Sequence, residues 1–448
     1  MRNIVFALAL AFAGCGDGGG SSGPGPGPGP AKDGPKAITI WWAQWAPADG
    51  LQELGRDFEK ETGIKVTVHQ TPWPDYQNQV NLEFGNRETK FDIVIGDSQW
   101  IGRGASKGLY IELTDWLKGA VDMSTVHPRA AKYLCEYPPG SGRYWAAPCE
   151  TDAIGIAYRR DWFEDAKEKA AYKEKYKRDL APPATYEEMR DIAEFFTRPA
   201  DKRYGVSWLT GRGYDALTMG FEQVLYAFGG SWGDEKTFKV QGHINNDGAV
   251  AGLEYLKSMM KFSTPDGAKL DYGQCLEPFD NGSTAMLVNY FAFYPEISKK
   301  FGDKAGFCPM PKKGDRRFAS LGGQGMSISA KAPKERQELA RQFIKWFEQL
   351  KIQKEWIKKP AGFPANTDIL KSEEFRKASP YNAAFADSVD ILVDFWNVPV
   401  FGELLAPVQQ YVGEAMDGKR SAKDALDAIA TEHEEIFRKA RENGDLPK

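Results

Sequence analysis

Between residues 38 and 95, short apolar runs alternate with helical repeats, and this alternation restricts the fold more than any other feature of the chain. Ile38-Thr39-Ile40-Trp41-Trp42 is a β-rich run. Asp49 follows as a helix N-cap with Gln52 completing a capping box, and Leu51, Leu54 and Phe58 repeat at helical spacing up to Gly63. Ile64-Lys65-Val66-Thr67-Val68 alternates as a strand. Helical spacing returns at Tyr76, Val80 and Phe84, and residues 91–95 form a third strand that breaks at Gly96-Asp97-Ser98. Strands joined by helices of this length pair in parallel through right-handed crossovers, so the segment predicts an open α/β sheet.

In such sheets, ligands sit beyond the carboxyl ends of the strands. The loops that qualify are 43–48 and 96–102. Both set polar groups beside tryptophan: Gln44-Trp45 in the first, and Asp97-Ser98-Gln99-Trp100 in the second. Trp45, Asp97 and Gln99 are therefore the first candidate binding residues. Asp97 has a plainer alternative as an Asx turn.

The start of the chain concerns location. Met1-Arg2-Asn3 is positive, and residues 4–13 are an apolar run too short to span a bilayer, as in a signal peptide. The run ends in Phe12-Ala13-Gly14-Cys15, which resembles the bacterial lipobox with Phe12 in place of the usual Leu. Residues 1–14 are thus expected to be a lipoprotein signal and Cys15 the lipidated residue. The stretch 15–36, rich in Gly, Pro and Ser, is expected to tether a folded domain to the cell envelope, on its periplasmic or extracellular face. A plain secretory signal with an incidental cysteine is the alternative.

Composition removes several classes. With 58 basic and 62 acidic side chains, the chain offers no basic face for nucleic acid. Four histidines make a His-rich metal site or relay unfavourable, and no CxxC or HxxxH spacing occurs. No metal and no cofactor are expected. Cys135, Cys149, Cys275 and Cys308 permit two disulfides in an exported protein, with Cys135–Cys149 and Cys275–Cys308 closing the shortest loops. Buried free thiols are the alternative.

Five further segments carry a resemblance. Residues 58–68 (FEKETGIKVTV) are similar to the opening of bacterial extracellular solute-binding proteins of the maltose-binding type. Asp92-Ile93-Val94-Ile95 with Gly108-Leu109 and Leu113-Thr114 resembles the same family's next block. Tyr158-Arg159-Arg160-Asp161 resembles its domain-crossing segment, Gly282-Ser283-Thr284-Ala285-Met286 its G-x-x-A-M element, and Gly418-Lys419-Arg420-Ser421 through Ala425-Leu426 its ending. The resemblance implies a two-lobed periplasmic-binding-protein fold, each lobe a mostly parallel sheet flanked by helices, with a hinge between them. Lobe one is placed at 37–151 and 325–361, and lobe two at 152–324 and 362–448.

The resemblance also implies a role: capture of a small solute and delivery to the transmembrane subunits of an ABC permease, by a monomer that meets the membrane only through its lipid. It implies an acid at Asp152, just before the crossing strand. Sugars need aromatic plates for their C–H faces and carboxylates or amides for their hydroxyls. The remaining loops offer Trp232, Asn289, Tyr290, Gln324 and Phe363 for those tasks, which favours a neutral sugar, oligosaccharide or polyol. The sequence 289–293 (NYFAF) departs from the Gly-Trp or Gly-Ser-Trp usual after the A-M element. Two other roles compete. One is a binding lobe for a sensory or chemotactic receptor. The other is a secreted glycosidase, although nothing fixes two carboxylates at a catalytic separation and no G-x-S-x-G or H-E-x-x-H occurs.

Overall fold

The computed structural model describes residues 36–86 and 88–446. The expected signal segment, Cys15 and the tether up to residue 35 lie outside them. The strands are β1 (Ala37–Ala43), β2 (Lys65–Thr71), β3 (Ile93–Asp97), β4 (Ala147–Arg159), β5 (Tyr204–Trp208), β6 (Thr284–Tyr290), β7 (Ala305–Pro309), β8 (Lys312–Lys313), β9 (Arg316–Arg317), β10 (Ala319–Ile328) and β11 (Leu392–Val393). One sheet runs β2-β1-β3-β10-β4-β6-β5, with β7 also paired to β4 and β11 to β10, while β8 and β9 form a separate hairpin.

The outer pairs β1–β2, β1–β3 and β5–β6 are parallel, as helical crossovers require. Two strands carry the chain between the halves. β4 pairs with β10 over its first part, up to Ala153, and from Ile154 onward with β6 and β7. β10 runs antiparallel to both β3 and β4. Twelve of the thirteen residues of β4 are buried, the pattern of a strand covered on both faces.

In the first half, the helix Ala46–Thr62 buries Leu51, Leu54 and Phe58 and stops at Gly63, whose φ of 73° only glycine adopts freely. Phe58 meets Phe343 and Trp346 edge-on, each at 5.3 Å. This helix starts three residues before the expected cap. Pro47 occupies its first turn, and Asp49, already inside the helix, accepts the Gln70 amide instead. Gln52 turns outward to the edge strand, donating to the Val66 carbonyl and accepting the Val68 N–H. Edge-strand backbone groups without a neighbour outbid the capping box for that amide. Among the described residues, no helix is long and apolar enough to cross a membrane.

The expected disulfides do not form: all four of these cysteines are free thiols. Cys275 lies under β5 and β6, its sulfur donating to the Val288 carbonyl, whereas Cys308 is on β7, across β4 from β6. Two strand spacings, about 10 Å, exceed the reach of a disulfide. The Cys135 carbonyl is bonded to Trp145 and Ala146, and Cys149 lies three residues further along β4, again about 10 Å away.

Candidate functional site

Loops from both halves converge over the crossing strands β4 and β10 and border a cleft with about 490 Å3 of space including its mouth. Trp45 enters as the residue capping the first helix, with Trp42 and Trp73 edge-on at 5.5 and 5.4 Å. Trp73 opens the helix Trp73–Gly85 that follows β2. Phe293 approaches Trp45 at 6.3 Å from the other half and stacks on Tyr272 at 5.9 Å with planes 10° apart. Tyr290, at the end of β6, is held upright because its hydroxyl donates to the Leu321 carbonyl. The floor is Gly322-Gly323 of β10. A Cβ on Gly322 would come within 2.7 Å of the Tyr290 ring, and one on Gly323, whose φ is +94°, within 2.3 Å of the Glu150 carbonyl, so neither position has room for a side chain.

The charged side chains of the lining, Asp97, Asp152 and Asp215, are acids. Asp97 at the end of β3 accepts Gln324 Nε2 at 2.9 Å and Tyr214 Oη at 3.0 Å, and Tyr214 Oη in turn accepts the Trp100 indole N–H at 2.8 Å. Gln324 is itself oriented by the Trp42 indole. These partners replace the Asx turn: the Asp97 side chain caps nothing. Asp152 on β4 accepts the backbone N–H groups of Ala153 and Ala292 at 2.8 and 3.2 Å. Asp215 accepts the Tyr272 hydroxyl at 2.6 Å, with Gln99 beside it. Among the described residues, no Lys, Arg or His lines the cleft.

Burial therefore works on these carboxyls without a cation to oppose it. It pushes Asp97 up to about 6. Burial and then the Asp97 charge push Asp215 to about 7. Asp152 is driven well above the carboxylate range by burial, against its two backbone donors. Glu150, two residues before it, is raised likewise by burial and by the charges of Asp152 and Asp97, and both its oxygens lack partners. Several donors and acceptors in the cleft also lack protein partners: the Trp45 and Trp73 indole N–H groups and Gln99 Oε1. Aromatic faces, carboxyls and unfilled hydrogen-bonding positions in one cleft match a ring or chain of hydroxyls. Among the described residues, no cluster of His, Cys, Asp or Glu is placed to hold a metal ion.

The cleft thus unites Trp45, Asp97, Gln99, Asp152, Tyr290 and Gln324. Three expected residues lie elsewhere. Trp232 is buried, its N–H bonded to Glu222 at 2.6 Å and its ring edge-on to Phe395 at 4.8 Å. Asn289 is buried and spends its amide on the Tyr272 carbonyl and the Tyr290 N–H, so it positions two cleft aromatics rather than facing the cleft. Phe363 stacks on Phe385 at 4.1 Å and is core. In each case an apolar or fully bonded environment is worth more than a half-exposed place at the cleft. Trp73, Tyr214, Asp215, Tyr272 and Phe293 were not foreseen. Trp73 and Tyr214-Asp215 follow the carboxyl ends of β2 and β5, so the rule that found Trp45 reaches them too. Tyr272 carries no local signal.

The fold resembles solved solute-binding proteins. A ribitol complex of an ABC transporter solute-binding protein from Agrobacterium radiobacter K84 superposes with TM-score 0.75 at 23% identity, covering 90% of this chain and 99% of that one. Maltose-bound MalE3 of T. maritima gives 0.76 at 22%, covering 89% and 99%. In sequence, the chain is 22% identical to the maltotriose-binding protein of Pyrococcus abyssi over 81% of this chain and 73% of that one. It is 23% identical to a maltooligosaccharide ABC transporter solute-binding lipoprotein of Streptococcus pneumoniae over 87% and 86%. The family model described as bacterial extracellular solute-binding protein matches residues 42–354, and the chain belongs to that family.

Proposed function

We propose that this chain is the solute-binding component of an ABC importer, taking a neutral sugar, oligosaccharide or polyol into the cleft over β4 and β10. The observation that carries the reading is the lining: half-open aromatic plates around the buried carboxyls of Asp97, Asp152 and Asp215, with no cation among them. Hydroxyls donate to those carboxyls and accept the Trp45 and Trp73 indole N–H groups, while C–H faces cover the rings. The maltose, ribitol and maltooligosaccharide named for the similar proteins support this solute class.

Capture works by population shift. Trp45 and Asp97 come from one half, and Tyr214, Asp215, Tyr272 and Phe293 from the other, so a solute touching both sets stabilises the closed arrangement. The two lobes are 37–151 with 325–361, and 152–324 with 362–448. This division is supported by the change of partners of β4 at residues 153–154. The closed protein docks on the permease as a monomer, held at the envelope through lipid on Cys15.

Thermal unfolding against maltooligosaccharides, hexoses, polyols, amino acids and polyamines tests the reading. A ligand at 100 times its Kd adds about 2.7 kcal/mol, which raises Tm by several degrees. Asp152→Ala should lower the shift, because the solute hydroxyl that the carboxyl receives is left without its acceptor. A shift only with amino acids or polyamines replaces the solute class, and no shift with any solute in the panel refutes the proposal.

A further inference from the structure

The cleft over β4 and β10 is unbalanced in charge. Asp97, Asp152 and Asp215 line it, and Glu150 is buried two residues before Asp152 on the same strand. Among the described residues, no cation stands in the lining. Arg212, two residues before Tyr214, is held outside it: both terminal nitrogens donate to Asp417, at 3.0 and 2.6 Å. Burial raises all four carboxyls with nothing positive to oppose it.

Asp97 is the acid an occupant reaches, since it is more exposed than Asp152 or Asp215. Each of its oxygens has one protein donor, Gln324 for Oδ1 and Tyr214 for Oδ2. A carboxylate oxygen has room for a second, so both can take a bond from a solute. The amide and the phenol orient this carboxyl but leave its charge uncompensated.

Aromatic rings complete the same cleft. Trp45 and Trp73 meet edge-on at 5.4 Å, Phe293 approaches Trp45 at 6.3 Å, and Tyr272 stacks on Phe293. Ring faces are the negative side of the aromatic quadrupole, with tryptophan the strongest, so they attract a cation as well as C–H groups. A metal ion does not fit: among the described residues, no cluster of His, Cys, Asp or Glu is placed to hold one. An ammonium group fits both halves of the lining, donating charge-assisted bonds to Asp97 while its charge faces the rings.

We propose that, among sugars and polyols, this cleft selects a solute that carries an ammonium group over the neutral parent of the same shape. The inference rests on the reading of the cleft as a sugar or polyol site and adds a charge preference to it. The neutral parent binds through the hydroxyl contacts already described, and the aminated solute binds more tightly.

Calorimetric titration of the protein at about pH 7 and fixed ionic strength tests this with matched pairs: glucose and glucosamine, galactose and galactosamine, cellobiose and the β-1,4-linked glucosamine dimer, sorbitol and 1-amino-1-deoxysorbitol. N-acetylglucosamine, which keeps the nitrogen without its charge, is the control for size. The aminated member of at least one pair should bind about tenfold more tightly than its parent, and N-acetylglucosamine no more tightly than glucose. Asp97→Asn should bring that ratio toward one, and so, in part, should Asp215→Asn, which leaves Asp97 in place should the first variant not fold. The ratio is the readout, so a general loss of affinity does not imitate the effect. Equal affinity, or a tighter neutral member, in every pair that binds overturns the charge preference and leaves the sugar reading standing. A preference undiminished in both variants also overturns it, since the ammonium is then held elsewhere. Saturation by putrescine or spermidine with no response to any sugar or polyol overturns both readings together, as does the absence of saturation with every solute tried.

Discussion

Replacing Asp97 with Asn removes one buried acid from the cleft and, with it, the charge that helps raise Asp215, whose relief changes stability with pH in the same direction. The carboxyl is packed among protein groups on every side, with a small part of its surface open to the cleft, and burial lifts it from 3.8 to about 6. The fold favours the neutral form of a carboxyl raised in this way up to about pH 6. Its contribution to stability is complete below the unfolded value near 4 and is lost as pH rises through 6. Two pKa units at 1.36 kcal/mol each set the loss at about 2–3 kcal/mol once cleft water is allowed for. Asparagine keeps the size and the acceptor for Gln324 but does not titrate. The stability of Asp97→Asn relative to the parent should therefore climb by about 2–3 kcal/mol between roughly pH 4 and pH 8, most of it below about pH 7. Altered bonding to Tyr214 adds an offset that does not vary across this range. His433, held down at about 4 by burial, titrates in both proteins and cancels. Urea unfolding across the pH series reads the difference directly. A difference that is flat with pH, or that falls as pH rises, would refute the account of Asp97 as a buried, uncompensated acid.

Three further outcomes follow from side chains outside the cleft. Phe363→Ala should cost about 3–5 kcal/mol in urea unfolding, since it empties a stacked core position, while solute saturation at the cleft is retained. Trp232→Phe leaves Glu222 without its indole donor and should cost about 1–3 kcal/mol, read in the same way. The buried Cys135, Cys149 and Cys275 should resist a thiol reagent in the folded protein, and all three should react in denaturant without reductant together with the half-buried Cys308; a protein whose thiols appear only after reduction would contradict the free-thiol arrangement.

What the sequence determines by itself is whatever depends on near neighbours. The alternation from residue 38 to 95 dictates a parallel sheet, because the spacing of Leu51, Leu54 and Phe58 and the stop at Gly63 are local facts. A parallel sheet in turn directs its loops to one end, which is why Trp45, Asp97 and Gln99 could be named and why Trp73 was within reach of the same argument. The tertiary structure decides what depends on distant partners. Tyr214, Asp215, Tyr272 and Phe293 join the site only because β4 and β10 carry the chain across and fold the second half over the first. The same folding takes residues away: Trp232 goes to Glu222, Phe363 to Phe385, and Asn289 to the backbone of Tyr272 and Tyr290. A tryptophan in a loop sequence looks alike whether it will face a solute or, like Trp232, a carboxylate in the helix before it. Which of the two it meets is set by burial energy summed over the whole packed chain, and that sum is not written at any one position.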